Sequence, residues 1–109
     1  MREIGELSPD EVAERVAEPG KVQLVDVRER EEWDVCRLPG AVLLPLATLP
    51  DQARDVLDPE LPIICYCHHG VRSHHAAMWL ASSGFREVAH LHGGIDRWAR
   101  EREPEMARY

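Results

Sequence analysis

A parallel sheet with helices packed on both faces is the α/β fold that the sequence predicts, and three observations predict it. Residues 22–27 (VQLVDV) and 61–66 (LPIICY) are mostly apolar runs without strict alternation, as in strands covered on both sides. Segments of helical periodicity separate the strand candidates, the pattern of a parallel sheet built from crossovers. Gly and Pro punctuate the junctions at Pro19-Gly20, Leu38-Pro39-Gly40, Gly84 and Gly93-Gly94.

The elements follow in order. Glu3-Ile4 is a short first strand. Ser8 is placed to cap a helix, with Pro9 at its first position and Glu11 completing a Ser-x-x-Glu box. Val12, Ala13, Val16 and Ala17 form the apolar stripe of that helix, and Pro19-Gly20 stops it. After the strand at 22–27, residues 28–33 form a short charged helix, and Ala41-Val42-Leu43-Leu44 is the next strand. Leu46, Leu49, Ala53 and Leu57 mark a helix made irregular by Pro50. The strand at 61–66 is central. Beyond it Ser73 caps a helix with Ala76, Ala77, Leu80 and Ala81 on one side, small enough for close approach to the sheet. Residues 88–91 give the last strand, and Gly93-Gly94 leads into a helix presenting Ile95, Trp98 and Ala99. The chain reads as one domain over 1–109, with its core at 7–98 and a polar, fraying tail over 100–109.

Composition narrows the function. A net charge of −7, from 20 acidic and 13 basic residues without blocks of like charge, argues against nucleic acid or an anionic membrane as partner. No stretch is apolar and long enough to serve as a signal peptide or membrane span, so a soluble, cytoplasmic protein is expected. The three cysteines are an odd count, and Cys65 and Cys67 are too close in sequence for an easy disulfide, which fits a reducing compartment.

Chemistry concentrates in Cys67-His68-His69-Gly70-Val71-Arg72-Ser73, between the central strand and the next helix. In open parallel sheets ligands sit outside the carboxyl ends of strands, where Cys67 falls. Unpaired N–H groups and the positive end of a helix dipole favour a thiolate there. Gly70 permits a backbone that a Cβ would resist, and Arg72 brings a permanent charge to the rim. These residues point to a nucleophilic sulfur in an anion cradle.

Asp26-Val27-Arg28, Leu38-Pro39-Gly40-Ala41, the Cys67–Ser73 loop, and Gly93-Gly94-Ile95 followed by Trp98 resemble, in order and spacing, the landmarks of single-domain rhodaneses. The resemblance runs from about Leu7 to Trp98 and implies a three-layer α/β/α rhodanese-like fold with a five-stranded parallel sheet. It implies a thiosulfate sulfurtransferase: Cys67 is the catalytic residue, taking the outer sulfur of thiosulfate or a related small anion, releasing sulfite, and passing the sulfur from a persulfide to cyanide, a thiol or a thioredoxin-like acceptor. His68, His69, Gly70, Val71, Arg72 and Ser73 are the implied substrate-binding residues, and no metal or organic cofactor is needed. Related phosphatases place one more residue between cysteine and arginine than the four found here, and a shorter ring of N–H groups suits one sulfur atom better than a tetrahedral oxyanion. Two departures stand out: His68 follows the cysteine where many thiosulfate-using relatives carry Arg or Lys, and Arg37 stands where the turn usually has His. A sulfur-relay carrier in cofactor or tRNA thiolation, loaded by a partner protein, is the alternative reading; a noncatalytic interaction module is a third.

Other residues have plainer readings. Cys65 is a small core residue or, less simply, a resolving thiol, and Cys36 sits near a turn with no catalytic role. Asp26 and Arg28 form a structural ion pair. Trp33, Trp79 and Trp98 are packing residues. The cysteine and histidine spacings do not reproduce a zinc-chelating loop. His74 and His75 project toward solvent or the site mouth, and His90 and His92 are strand-end residues, of which His92 also neighbours the pocket.

Overall fold

The structure, a computed structural model, describes residues 4–109. Five parallel strands, β1 (Gly5–Leu7), β2 (Gln23–Asp26), β3 (Val42–Leu43), β4 (Ile63–Tyr66) and β5 (Val88–Leu91), lie in the order β1-β5-β4-β2-β3. Five helices cross between or follow them: α1 (Pro9–Val16), α2 (Arg30–Val35), α3 (Leu49–Val56), α4 (Val71–Ser82) and α5 (Gly94–Arg102).

Strand parity divides the core. Val25, Ile63, Cys65 and Val88 face one side, with Ala53 of α3 and Ala76, Ala77, Leu80 and Ala81 of α4. Leu24, Ile64, Tyr66, Ala89 and Leu91 face the other, with Val12 of α1 and Ile95 and Trp98 of α5. Because both faces of β2, β4 and β5 are covered, apolar residues follow one another along these strands rather than alternating strictly with polar ones.

Several elements start elsewhere than the sequence suggests. Glu3 lies outside the described residues, Ile4 is not in a strand, and the first strand is β1, whose register sets Gly5 beside Ala89 and buries Leu7 beside Leu91. The α1 capping box forms as expected, Ser8 N donating to Glu11 Oε1 at 2.9 Å and Glu11 N to Ser8 Oγ at 3.2 Å. Helix α2 begins at Arg30, two residues late, because Arg28 is drawn inward by Asp26. Pro50 does not interrupt α3 but sits in its first turn, where its missing N–H costs nothing, after a single 3-10 turn at Leu46–Thr48. The tail packs against the fold rather than projecting from it: α5 continues to Arg102, Met106 packs on the core, and Arg108 and Tyr109 fold back over the carboxyl ends of the strands. No described helix is long and apolar enough to cross a membrane.

Candidate functional site

Cys67 immediately follows the last residue of β4, the central strand. Its loop closes in three residues because Gly70 takes φ +113°, a left-handed conformation that strains any residue with a Cβ. Gly70 thereby ends the loop as the N-cap of α4. Ser73, expected in that role, lies instead in the first turn, and its Oγ is within hydrogen-bond reach of two acceptors, Gly70 O at 3.2 Å and His90 Nδ1 at 3.0 Å.

This geometry turns N–H groups onto the sulfur. Gly70 N donates to Cys67 Sγ at 3.1 Å and Ser73 N at 3.3 Å, while Ser73 Oγ lies 3.6 Å away. The loop carbonyls point outward and are satisfied by the start of α5: Ile95 N donates to Cys67 O at 2.8 Å and Asp96 N to His68 O at 3.1 Å. Gly94 makes this docking possible, since a Cβ there would collide with the His68 carbonyl. The acceptors are directed away from the sulfur and the donors toward it, so the loop presents a hydrogen-bond-donating cradle at Cys67 Sγ.

The rim is built from charge. Arg72 is not a free guanidinium: Nη1 and Nη2 donate to Glu32 Oε1 and Oε2 at 2.6 and 2.8 Å. The Arg72 hydrogen bonds hold the Glu32 carboxyl down at about 2, and Glu32 in turn raises Arg72. Glu32 is positioned by α2, which is tied to the sheet through Arg28. Arg28 and Asp26 are both fully buried and joined at 2.6 Å, and Arg28 also donates to Cys36 O at 2.6 Å and Tyr109 Oη at 2.8 Å. Burial opposes the charge on Arg28, but its bonds to Asp26 and Tyr109 prevail and raise it. The Asp26–Arg28 pair expected from the sequence therefore orients the rim.

His68 is stacked between His69 and Tyr109, with ring centroids 3.9 and 4.1 Å away. Partial burial, and then the neighbouring His69, lower its pKa. His69 and Val71 are exposed, and Val71 turns to solvent. A 340 Å³ cavity beside the loop is lined by His69, Gly70, Val71, His74, His90 and His92, among others. His68, His69 and Asp96 bring one possible metal-ligand atom each within 4.8 Å of one another, but Asp96 already pairs with Arg100 at 3.3 Å and Arg108 at 2.7 Å, so a cation there competes with two guanidiniums.

Three site residues escaped the sequence reading. Glu32 and Tyr109 meet the loop from 40 residues before Arg72 and from the tail. His90, the next-to-last residue of β5, lies near the strand end as expected, but it is buried, with Nδ1 3.0 Å from Ser73 Oγ. Its parity with Val88, opposite Ala89 and Leu91, was the available signal.

Comparison with known proteins gives a consistent result. The model of the rhodanese-like domain matches residues 8–101. Over 104 residues the chain is 31% identical to a protein named sulfurtransferase from Allochromatium vinosum, covering 95% of this chain and 96% of that one. It is 33% identical over 104 residues to the probable adenylyltransferase/sulfurtransferase MoeZ of Mycobacterium tuberculosis, covering 94% of this chain but spanning only 26% of that protein's length. The crystal structure of a rhodanese-like domain protein from Staphylococcus aureus superposes with a TM-score of 0.79 at 29% identity, covering 87% of this chain and 91% of that one.

Proposed function

From the premise that the chain belongs to the rhodanese-like family, whose named relatives here are sulfurtransferases, we propose that it transfers sulfane sulfur through a persulfide on Cys67, with thiosulfate as donor. The observation that carries this reading is the pair of backbone N–H groups, Gly70 and Ser73, aimed at one buried sulfur. The Cys67 thiolate attacks the outer sulfur of thiosulfate. As the new S–S bond forms, the old one breaks and its electron pair leaves with sulfite. A nucleophile such as cyanide or a thiolate then attacks the outer sulfur of the persulfide, and Cys67 departs as the thiolate that began the cycle. The sulfur stays covalently bound to protein between the two half-reactions, and the N–H donors aimed at Sγ stabilise the Cys67 thiolate both as the attacking and as the leaving group.

One feature of the rim favours a second reading, the sulfur-relay carrier. Arg72 is already paired with Glu32, so a dianion approaching the site meets a neutralised guanidinium rather than a free one. A persulfide handed over by a partner protein needs no such cation. Steady-state thiocyanate formation from thiosulfate and cyanide supports the enzyme; Cys67 persulfidation by a cysteine desulfurase with negligible turnover of thiosulfate supports the carrier.

A further inference from the structure

Behind Cys67 runs a line of polar groups that the sulfur-transfer steps above do not use. Cys67 Sγ lies 3.6 Å from Ser73 Oγ, which lies 3.0 Å from His90 Nδ1. On the far side of the ring, His90 Nε2 is 3.8 Å from Glu6 Oε2 at the sheet edge. His90 is 4% exposed, and its Nε2 is buried without a hydrogen-bond partner among the described residues.

Elementary hydrogen-bond logic orders this line. Glu6, as a carboxylate, only accepts, so it favours the tautomer with the proton on Nε2. Nδ1 then offers a lone pair to the Ser73 hydroxyl, and Ser73 Oγ is left with lone pairs facing the Cys67 thiol.

We propose that Ser73 and His90 form a proton path that maintains Cys67 as a thiolate, an inference that rests on Cys67 being the sulfur carrier. The S–H proton passes to Ser73 Oγ while the Ser73 hydroxyl proton passes to His90 Nδ1. The products are a thiolate, an intact hydroxyl now turned toward Sγ, and an imidazolium whose two N–H groups face Ser73 and Glu6. No other bond changes, and no proton leaves the protein. Through the later half-reactions the sulfur remains anionic, first as thiolate and then as persulfide, so the proton can stay on His90 as a fixed counter-charge. Ser73 touches the reacting atom; His90 acts through it and is a positioning residue.

The surroundings act on the His90 proton in both directions. Burial lowers the pKa of His90, while Glu6 on β1 opposes that. His74 on α4, with its ring edge-on at 5.4 Å, and His92 beyond β5 disfavour the imidazolium when they are charged. Cys65, opposite His90 on β4, is a neutral thiol, held up at about 12 by burial.

The test is the ultraviolet titration of the Cys67 thiolate, taken as the difference from Cys67→Ser, in wild type, Ser73→Ala and His90→Asn. Asparagine keeps an acceptor near the place of Nδ1 but cannot titrate, so a purely structural role for His90 predicts an unchanged profile. The thiolate population at about pH 6 should fall about tenfold in both variants, the worth of one charged hydrogen bond. Coupled groups shift each other reciprocally, so the His90 imidazole, followed by NMR, should titrate at lower pH in Cys67→Ser than in wild type. An unchanged thiolate profile in His90→Asn, or an unmoved His90 titration in Cys67→Ser, overturns the path; the NMR measurement decides even if Ser73→Ala does not fold. Coupled titrations in a protein that takes no sulfur from any donor support the path while refuting the sulfur-carrier reading.

Discussion

Cys65 and Cys67 stand on the same face of the same strand line, two positions apart, and are equally buried at 0% and 1% exposure. Cys65 is inside β4, where its neighbours are apolar side chains and its backbone is committed to the sheet. Burial, with a further contribution from Cys67, pushes its thiol up to about 12 and makes it inert at physiological pH. Cys67 is one residue beyond the strand, where the ladder ends and the N–H groups of Gly70 and Ser73 become available to sulfur. Depth is shared by the two, so depth does not distinguish them. The supply of unpaired donors does, and it is what the proposed function assigns to the nucleophile.

That contrast is broken most directly by exchanging the cysteines' fates. Cys67→Ser should reduce sulfur transfer to background, because serine at that position is neither a comparable nucleophile nor able to hold the persulfide. Cys65→Ser should retain loading on Cys67, with a modest loss of stability of about 1–3 kcal/mol from placing a hydroxyl in an apolar layer. Loading assays on the two variants, with thermal unfolding alongside, check both halves.

Gly94→Ala attacks the donor supply without touching either sulfur. Its Cβ would collide with the His68 carbonyl, and φ at this residue is +66°, so α5 must move away from the loop. Strain and overpacking together should cost about 2–4 kcal/mol, and loading should fall even in the fraction that stays folded. Calorimetry beside the rate of sulfite release separates the two effects.

Much of this was legible in the sequence. The apolar runs gave the central strands, and the Ser-x-x-Glu and Gly signals gave the ends of α1 and the Cys67 loop, because those features are local. What stayed hidden depends on register and distance. His90 meets Ser73 only because β5 pairs with β4 so that His90 lies opposite Cys65, and Glu32 reaches Arg72 across 40 residues. Tyr109 looked like part of a solvated tail, yet Arg28, Glu32 and His68 hold it in place. Ser73 was misplaced as a cap because the left-handed turn at Gly70 ends the loop first.

The rim sharpens the comparison further. Arg72→Ala should lower thiosulfate kcat/KM about ten- to a hundredfold, equivalent to losing a charged contact of about 1.5–3 kcal/mol, and should leave Glu32 as an unpaired carboxylate beside the site. Glu32→Gln frees Arg72 and should raise thiosulfate capture at low salt. If neither variant changes donor capture, the donor does not engage this rim.

Replacing His68 and His69 with alanine is expected to matter only on the acid side. His68 is held below its ordinary value by burial and by His69, so it acquires charge at lower pH than a free imidazole. The double variant should therefore match wild type near pH 8 and fall behind only at pH values below the ordinary imidazole range. Thiosulfate kcat/KM across pH is the measurement.

The smallest effect is on stability. Glu32 is depressed from 4.5 to about 2, so its contribution is fully present above pH 4.5 and is lost as pH falls through about 2. The pair is partly exposed, and solvent screening keeps its worth to about 1 kcal/mol. Acid unfolding of Glu32→Gln should accordingly converge with wild type at the lowest pH.

The central claim, that backbone donors and not burial select the nucleophile, is tested most directly by intact-mass and peptide mapping after brief exposure to thiosulfate. One added sulfur, confined to the Cys67 peptide, discharged by cyanide and present in Cys65→Ser but absent in Cys67→Ser, is the expected result. A sulfur adduct that persists in Cys67→Ser, on Cys65 or on Cys36, would contradict it.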